Sequence, residues 1–193
     1  MTTLTNKDFE NFWIRCYLST STRFVEGAIK RAYLDFNRTV HGIRITESPE
    51  KYQIFENFFK DLINETTSQK FENQRIFDSW HKNKCEKLIS LFKEHFTPKI
   101  HIGQAQKWIN MTLKYLVALG NDRIKDISLN YIFFHIPVDS IIQEKLSKMG
   151  ISKFSVPWSQ IDDYRDYINY QILVRHKFAG QLPMDVEFRL FNE

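Results

Sequence analysis

The sequence contains little cysteine and little glycine, and both shortages exclude classes of protein. The two cysteines, Cys16 and Cys85, lie in helical patterns without the close spacing of a metal site or a four-cysteine iron–sulfur cluster. Only six glycines occur in 193 residues, and none belongs to a Gly-rich phosphate loop or a nucleophile elbow. We therefore expect no metal, no cofactor and no disulfide, as in a reduced cytoplasmic protein.

Long apolar runs are also missing. No stretch of about 18 apolar residues could span a membrane, and the N-terminus lacks the apolar core of a signal peptide. We expect no membrane partner and a cytoplasmic location. Aromatic residues, by contrast, make up 15% of the chain, including 17 phenylalanines, which is ample material for the core of one domain over residues 1–193.

Apolar residues recur at helical spacing along most of the chain. Helices are predicted over residues 6–18, 23–40, 49–63, 72–96, 140–149 and 159–178, and residues 99–119 are predicted to be a turn-like entry with one glycine followed by a helix. The first has an apolar stripe of Phe9, Phe12, Trp13 and Tyr17. Residues 121–137 fit either a short helix or an extended segment, and the tail from Pro183 is predicted to be extended. The fold class is therefore all-α, a single compact domain of seven or eight helices.

The helix within residues 99–119 is apolar nearly all round, which is typical of a buried central helix. It nevertheless contains Lys107, Asn110 and Lys114, whose spacing of three and four places them on one face. That polar stripe is either the only wet side of the helix or the wall of a site.

Positive charge is concentrated just before this helix. Residues 81–107 contain six lysines and only two glutamates, an excess equal to the net charge of +4. Such a surface suits contact with phosphates, although a solvated lysine-rich helix face has the same composition.

Two stretches, IHIGQAQKWINMTLKYLVAL (100–119) and FFHIPVDSIIQEKLSKMGI (133–151), together resemble the helix-hairpin-helix DNA glycosylases. That superfamily combines a hairpin, a lysine near the start of its second helix, and Pro-Val-Asp opening a later helix. Lys107 matches the lysine, and Pro137, Val138 and Asp139 match the tripeptide. The separation of 32 residues is similar to the archaeal-type 8-oxoguanine glycosylase branch. The hairpin retains only Gly103 of the usual two glycines.

The resemblance covers residues 99–149 and implies base excision from DNA, with possible AP-lyase activity. Lys107 would attack C1′ of the sugar and form a Schiff base, and Asp139 would stabilise the developing cation. The implied partner is duplex DNA with a flipped base.

Further site residues are expected around this pair. The flipped base would be held by Gln104, Trp108, Asn110, Phe134, His135 and Trp158. The DNA backbone would be held by Lys99, His101, Gly103 and Lys114, with main-chain N–H groups of the hairpin at the helix start. The aromatics could equally belong to the core, and Asp139 could be only a helix N-cap.

Two other functions remain open. One is a non-enzymatic helical module that binds DNA or a protein. The other is a helical ribonuclease using Arg38 and His41, which lie one turn apart in FNRTVHGI. Convergence of the Lys107 amine and the Asp139 carboxylate on one aromatic-lined pocket favours the glycosylase, and separation onto opposite faces would exclude it.

Overall fold

Helices account for all the regular structure in residues 3–40, 44–97 and 99–193, which the computed structural model describes. The α-helices are α1 (Asn6–Leu18), α2 (Phe24–Asn37), α3 (Pro49–Ser68), α4 (Gln74–His95), α5 (Ile102–Leu119), α6 (Ser140–Lys148), α7 (Tyr164–Lys177) and α8 (Pro183–Asn192). Short 3₁₀ helices lie at Ile45–Glu47, Ile127–Phe133 and Trp158–Gln160. The prediction of an all-α fold is confirmed.

Side-chain caps explain several helix starts. The Asn73 side chain accepts a hydrogen bond from the Ile76 N–H at the start of α4, and Asp163 accepts one from the Arg165 N–H at the start of α7. The cap at Asp163 places the start of α7 later than the predicted residue 159. Pro49 occupies the first position of α3, where its missing N–H costs nothing.

The prediction of an extended tail is wrong. Residues 183–192 form α8, which begins at Pro183 and buries Met184, Val186 and Leu190. Met184, Val186, Phe188 and Leu190 alternate in the sequence as they would in a strand. Val186 and Leu190 lie four residues apart, so a helix places both on one face, and both pack into the core there.

The predicted burial of α5 is confirmed. This helix packs mainly against α2 and α4, and all but three of its 18 residues are buried. Trp108 has no exposed surface and stacks on Phe36 and Phe55, with ring centroids 4.9 and 5.7 Å apart. These rings fix α5 in the centre of the contiguous apolar core.

The start of α5 approaches the 3₁₀ helix at 158–160 very closely. The Gly103 N–H donates to the Ile161 carbonyl at 3.0 Å. A Cβ on Gly103 would lie 1.7 Å from the Trp158 carbonyl oxygen, far inside van der Waals contact. Glycine is therefore required here by space, since a side chain would push the two segments apart.

Replacing Gly103 with alanine should destabilise the protein by about 2 kcal/mol, because the backbone at Trp158 must move to admit the methyl group. Urea unfolding followed by circular dichroism measures this. Gly27→Ala is the matched control. Its Cβ would meet side-chain atoms first, Thr20 Cγ2 at 2.7 Å and Leu18 Cβ at 3.1 Å, rather than a backbone carbonyl at 1.7 Å. Helix propensity offsets part of that cost, so the loss of stability should be smaller. Equal stability of the two variants would contradict the close approach.

Candidate active site

The Lys107 amine and the Asp139 carboxylate meet. Lys107 Nζ donates to Asp139 Oδ2 at 2.5 Å, and the side chains are 8% and 22% exposed. The other carboxylate oxygen, Oδ1, accepts the Ile142 N–H at 2.8 Å. Asp139 is therefore the N-cap of α6 and the partner of Lys107 at once, with one oxygen for each role.

Two glutamine amides hold the segment before Asp139. Gln106 accepts the Val138 N–H at 3.1 Å and donates to the Val138 carbonyl at 2.8 Å. Gln171 makes the same pair of bonds to Ile136, at 3.2 and 2.9 Å. Each amide satisfies both backbone groups of one residue, as a neighbouring strand would. Gln106 precedes Lys107, and Val138 precedes Asp139. The pairing of Gln106 with Val138 therefore places Lys107 opposite Asp139.

A cavity of about 450 Å³ opens beside the ion pair. Helices α1, α2, α5, α6 and α8 contribute to its wall, together with the 3₁₀ helix at 158–160. Its aromatic lining consists of Tyr17, Tyr115, Trp158 and Phe191. The volume falls in the range of ligand sites in proteins. Lys107 and Asp139 thus line an aromatic pocket, as the favoured hypothesis requires.

A second ion pair lies on the same wall, two turns along α5. Lys114 Nζ lies 2.5 Å from Glu187 Oε2, with both side chains almost fully buried, and 4.3 Å from the centroid of the Phe191 ring. Burial lowers the pKa of Lys114 and raises the pKa of Glu187, against the attraction between the two charges.

Positive charge exceeds negative charge in this cavity. Five basic side chains line it, Arg31, Arg38, Lys107, Lys114 and Lys145, against three acidic ones, Asp35, Asp139 and Glu187. Arg31 pairs with Asp35 at 3.4 Å. Within the described ranges, Arg38 and Lys145 have no carboxylate partner, and Lys145 donates to the Leu190 carbonyl. The excess of two cations fits an anionic ligand.

Only one residue expected to hold the base lines this cavity, namely Trp158. Trp108 and Phe134 are core residues without exposed surface. The Gln104 amide donates to the Thr39 carbonyl at 3.0 Å and accepts the His101 N–H. These side chains serve packing and backbone bonding, so we no longer assign them to a base pocket.

Asn110 and His135, also expected there, belong to a buried polar network behind α5. His135 lies 2.7 Å from Asp78 and 2.9 Å from the Tyr167 hydroxyl. Asn110 bonds to the same hydroxyl and to His81 Nε2, at 2.8 and 3.0 Å. Neither residue lines the cavity, so the placement of both in a base pocket is corrected.

Burial lowers the pKa of both histidines in this network. For His81 a second cause is the nearby His135, whose ring centroid lies 4.6 Å away. For His135, burial outweighs the hydrogen bond to Asp78, which acts in the opposite direction. Both rings are therefore neutral in the folded protein near pH 7.

The residues expected to contact the DNA backbone are engaged within the protein. Lys99 and His101 both face Asp162, at 3.6 and 2.6 Å, and the Gly103 N–H is taken by the Ile161 carbonyl. Lys114 lines the cavity but is buried against Glu187. A phosphate site at the start of α5 is therefore corrected, because the Gly103 N–H and the nearby charges already have partners.

Sequence reasoning missed the acidic and basic residues that α2 and α8 add to the cavity. Arg31 and Asp35 lie on one face of α2, four residues apart, and Tyr115 donates to Asp35. Glu187 lies in the tail that was predicted to be extended, so the sequence did not place it near the cavity. The i, i+4 spacing of Arg31 and Asp35 is visible in the sequence, but nothing there links it to Lys107. Of the ribonuclease candidates, Arg38 lines the cavity and His41 lies outside the described residues.

Removing one partner of the Lys114–Glu187 ion pair should lower the free energy of unfolding more than removing both partners. Lys114→Met leaves Glu187 buried without a cation, and we expect a loss of about 3 to 5 kcal/mol in the free energy of unfolding. The double variant Lys114→Met/Glu187→Met should recover most of that loss. Chemical denaturation of the four proteins in the cycle measures both effects.

The control for this cycle is Lys153→Met, which removes an exposed lysine paired with Glu144 and should leave stability unchanged. Additive losses in the cycle would contradict the coupling of Lys114 and Glu187.

Acidification should destabilise the fold. The pKa values of His81 and His135 are lowered on folding, so below about pH 6.5 the unfolded chain binds more protons than the folded one. Their stabilising contribution is complete above that pH and is lost as the pH falls towards the folded values. Each histidine contributes a slope of up to about 1.4 kcal/mol per pH unit.

Urea unfolding between pH 7.5 and 5.0 measures this dependence. His176→Gln, which removes an exposed histidine, should keep the same slope. Stability that does not change over this range would contradict neutral, buried histidines.

Comparison of the chain with protein-family models, curated proteins and solved structures gave no match. In residues 3–40, 44–97 and 99–193, no helix has the length and apolar character needed to cross a bilayer. Those same ranges hold no cluster of His, Cys, Asp and Glu side chains suited to a metal ion. The assignment of function therefore depends on the geometry of the cavity.

Proposed function

We propose that this protein excises a base from DNA, with Lys107 as nucleophile and Asp139 as its electrostatic and proton-transfer partner. The observation that supports this most directly is the 2.5 Å contact between Lys107 Nζ and Asp139 Oδ2 on the wall of an aromatic, cationic cavity. A lysine, a carboxylate and an aromatic-lined pocket together match the chemistry of base removal through a Schiff base.

The chemistry begins with proton transfer within the pair. Asp139 takes a proton from Lys107, which leaves a neutral amine able to attack C1′ of the sugar. As the Nζ–C1′ bond forms, the C1′–N bond to the base breaks and its electron pair leaves with the base, which receives the proton from Asp139. Asp139 then carries one proton from the Lys107 nitrogen to O4′, and the C1′–O4′ bond breaks with its electron pair on that oxygen, which gives a protonated imine between Lys107 and C1′. Loss of a C2′ proton to Asp139 gives an enamine, and departure of the 3′ phosphate with the electron pair of the C3′–O bond would cleave the strand.

The surroundings of the pair support an anionic, planar substrate. Arg38 and Lys145 line the cavity without carboxylate partners among the described residues, and such cations attract phosphates. Trp158 and Tyr115 also line it, and aromatic rings are the groups on which bases stack. The cavity of about 450 Å³ has room for one nucleotide.

Lys107→Gln should lower the rate of base release by about 10³-fold or more, because no amine remains to attack C1′. The measurement uses labelled oligonucleotides that contain uracil, an oxidised purine or an abasic site. Borohydride, which reduces the imine, should trap a covalent adduct with the natural protein and none with the variant. Asp139→Asn should slow the reaction by about 10²-fold while keeping the helix cap, since asparagine is an equally good N-cap.

Lys84→Gln is the matched control, since Lys84 is a partly buried lysine paired with Glu65 at 2.7 Å outside the cavity lining. It should retain full activity. Base release by Lys107→Gln, or the absence of an adduct with every substrate, would refute the lysine mechanism. Thermal unfolding of each variant separates loss of chemistry from loss of fold.

A second candidate is a binding module without chemistry. The observation that favours it is a set of large aromatic side chains exposed on α1 next to the cavity, led by Trp13 at 68% exposure. Under this alternative, Lys107→Gln leaves the affinity for DNA or protein unchanged, and the ion pair serves only to join α5 to α6.

A further inference from the structure

Helix α1 exposes most of its apolar side chains. Phe9, Phe12, Trp13 and Tyr17, which we call the aromatic face, are between 48% and 68% exposed. The helix instead anchors itself through Ile14 and Leu18, which pack against the core. Contiguous exposed aromatics of this size mark binding surfaces.

The aromatic face leads directly to the active-site cavity. Trp13 and Tyr17 line a second cavity of about 350 Å³. This cavity shares Tyr17, Met111, Lys114, Tyr115 and Phe191 with the cavity that contains Lys107. The Tyr17 hydroxyl lies 3.1 Å from that of Tyr115. A ligand that enters the Lys107 cavity and extends past Tyr115 would meet the aromatic rings of α1.

Charge identifies the kind of ligand that fits both parts. The Lys107 cavity has two more basic than acidic side chains, and the Arg31 guanidinium lies 4.3 Å from the centroid of the Tyr17 ring. A cationic groove that continues into exposed aromatic rings is the arrangement used to bind single-stranded nucleic acid, with phosphates on the cations and bases on the rings. An uncharged lipid or an apolar protein surface would use the rings but would leave the cationic excess in the cavity without a partner.

The start of α5, where the sequence resemblance placed the DNA backbone, has few free groups that could bind a duplex. The Gly103 N–H donates to the Ile161 carbonyl, and Lys99 and His101 are directed to Asp162. The hairpin therefore offers no free amide at Gly103, and its nearby charges are compensated. Base pairs also bury the ring faces that α1 could stack on, whereas unpaired bases expose them.

We infer that the substrate is single-stranded or locally unpaired DNA, whose bases beside the target nucleotide stack on the aromatic face of α1. This inference rests on the proposed function for its catalytic site, and it specifies the form of the DNA. The target nucleotide occupies the Lys107 cavity, and the strand continues over Tyr17 towards Trp13 and Phe12, whose rings lie edge to face at 5.3 Å.

The test compares one fluorescently labelled 15-mer, free and in duplex form, by anisotropy at fixed salt. We expect the single strand to bind at least tenfold more tightly. Trp13→Ala should weaken single-strand binding by about 5- to 100-fold, the effect of losing one base–aromatic stack. Trp13→Phe should restore most of the affinity. Since Trp13 is exposed, the substitution should leave the thermal unfolding midpoint unchanged.

Leu173→Ala is the matched control. Leu173 is 53% exposed and lines neither cavity, so this variant should bind as the natural protein does. Equal affinity for duplex and single strand, or unchanged affinity in Trp13→Ala, overturns the inference. So does sedimentation as a dimer that Trp13→Ala dissociates, or binding to anionic vesicles that the same change abolishes.

Base release is measured separately on the same oligonucleotides. Single-strand binding that depends on Trp13 without base release would refute the proposed function and leave this surface assignment standing. Base release that is restricted to duplex DNA and independent of Trp13 would support the proposed function and refute the assignment of the α1 surface.

Discussion

The paired hydrogen bonds between the Gln106 amide and the backbone of Val138 are the contact on which the candidate site depends. Residues 136–138 belong to no helix, so their buried N–H and C=O groups need partners from elsewhere. Gln106 and Gln171 supply them. An apolar side chain at position 106 would leave two buried backbone groups unsatisfied, at about 1 to 3 kcal/mol each. The same bonds align Asp139 with Lys107, so one side chain stabilises the connection and sets the geometry of the ion pair.

The ion pairs themselves contribute little to explaining the fold. A buried pair such as Lys114 and Glu187 loses in desolvation much of what it gains in attraction, and packed apolar residues could replace it at little cost. Lys107 and Asp139 are more exposed and face the same cavity. Both pairs lie on α5, two turns apart, and both line the same cavity. This common location is consistent with the ligand site that we propose.

Local signals explain what the sequence could predict. The positions of most helices follow from apolar spacing and caps, and two residues of the polar stripe of α5, Lys107 and Lys114, line the cavity. Asn110 has the same spacing and was misassigned, because its partners, His81 and Tyr167, come from α4 and α7. A spacing rule describes one helix and says nothing about which distant element will bond to it. Glu187 could not be found for the same reason, since it reaches the cavity only because α8 is a helix.

Trp108 and Trp13 show the limit of pattern-based reasoning most clearly. Each belongs to an apolar stripe with helical spacing, and that spacing does not distinguish a buried ring from an exposed one. Trp108 lies on α5 among Phe36, Phe55 and Phe59 and has no exposed surface, whereas Trp13 lies on α1 and is 68% exposed. The helical period establishes only that a face will meet something apolar. For α5 that apolar partner is the rest of the chain. For α1 the described chain leaves the face exposed beside a cationic cavity, which is why we propose unpaired bases as its partner.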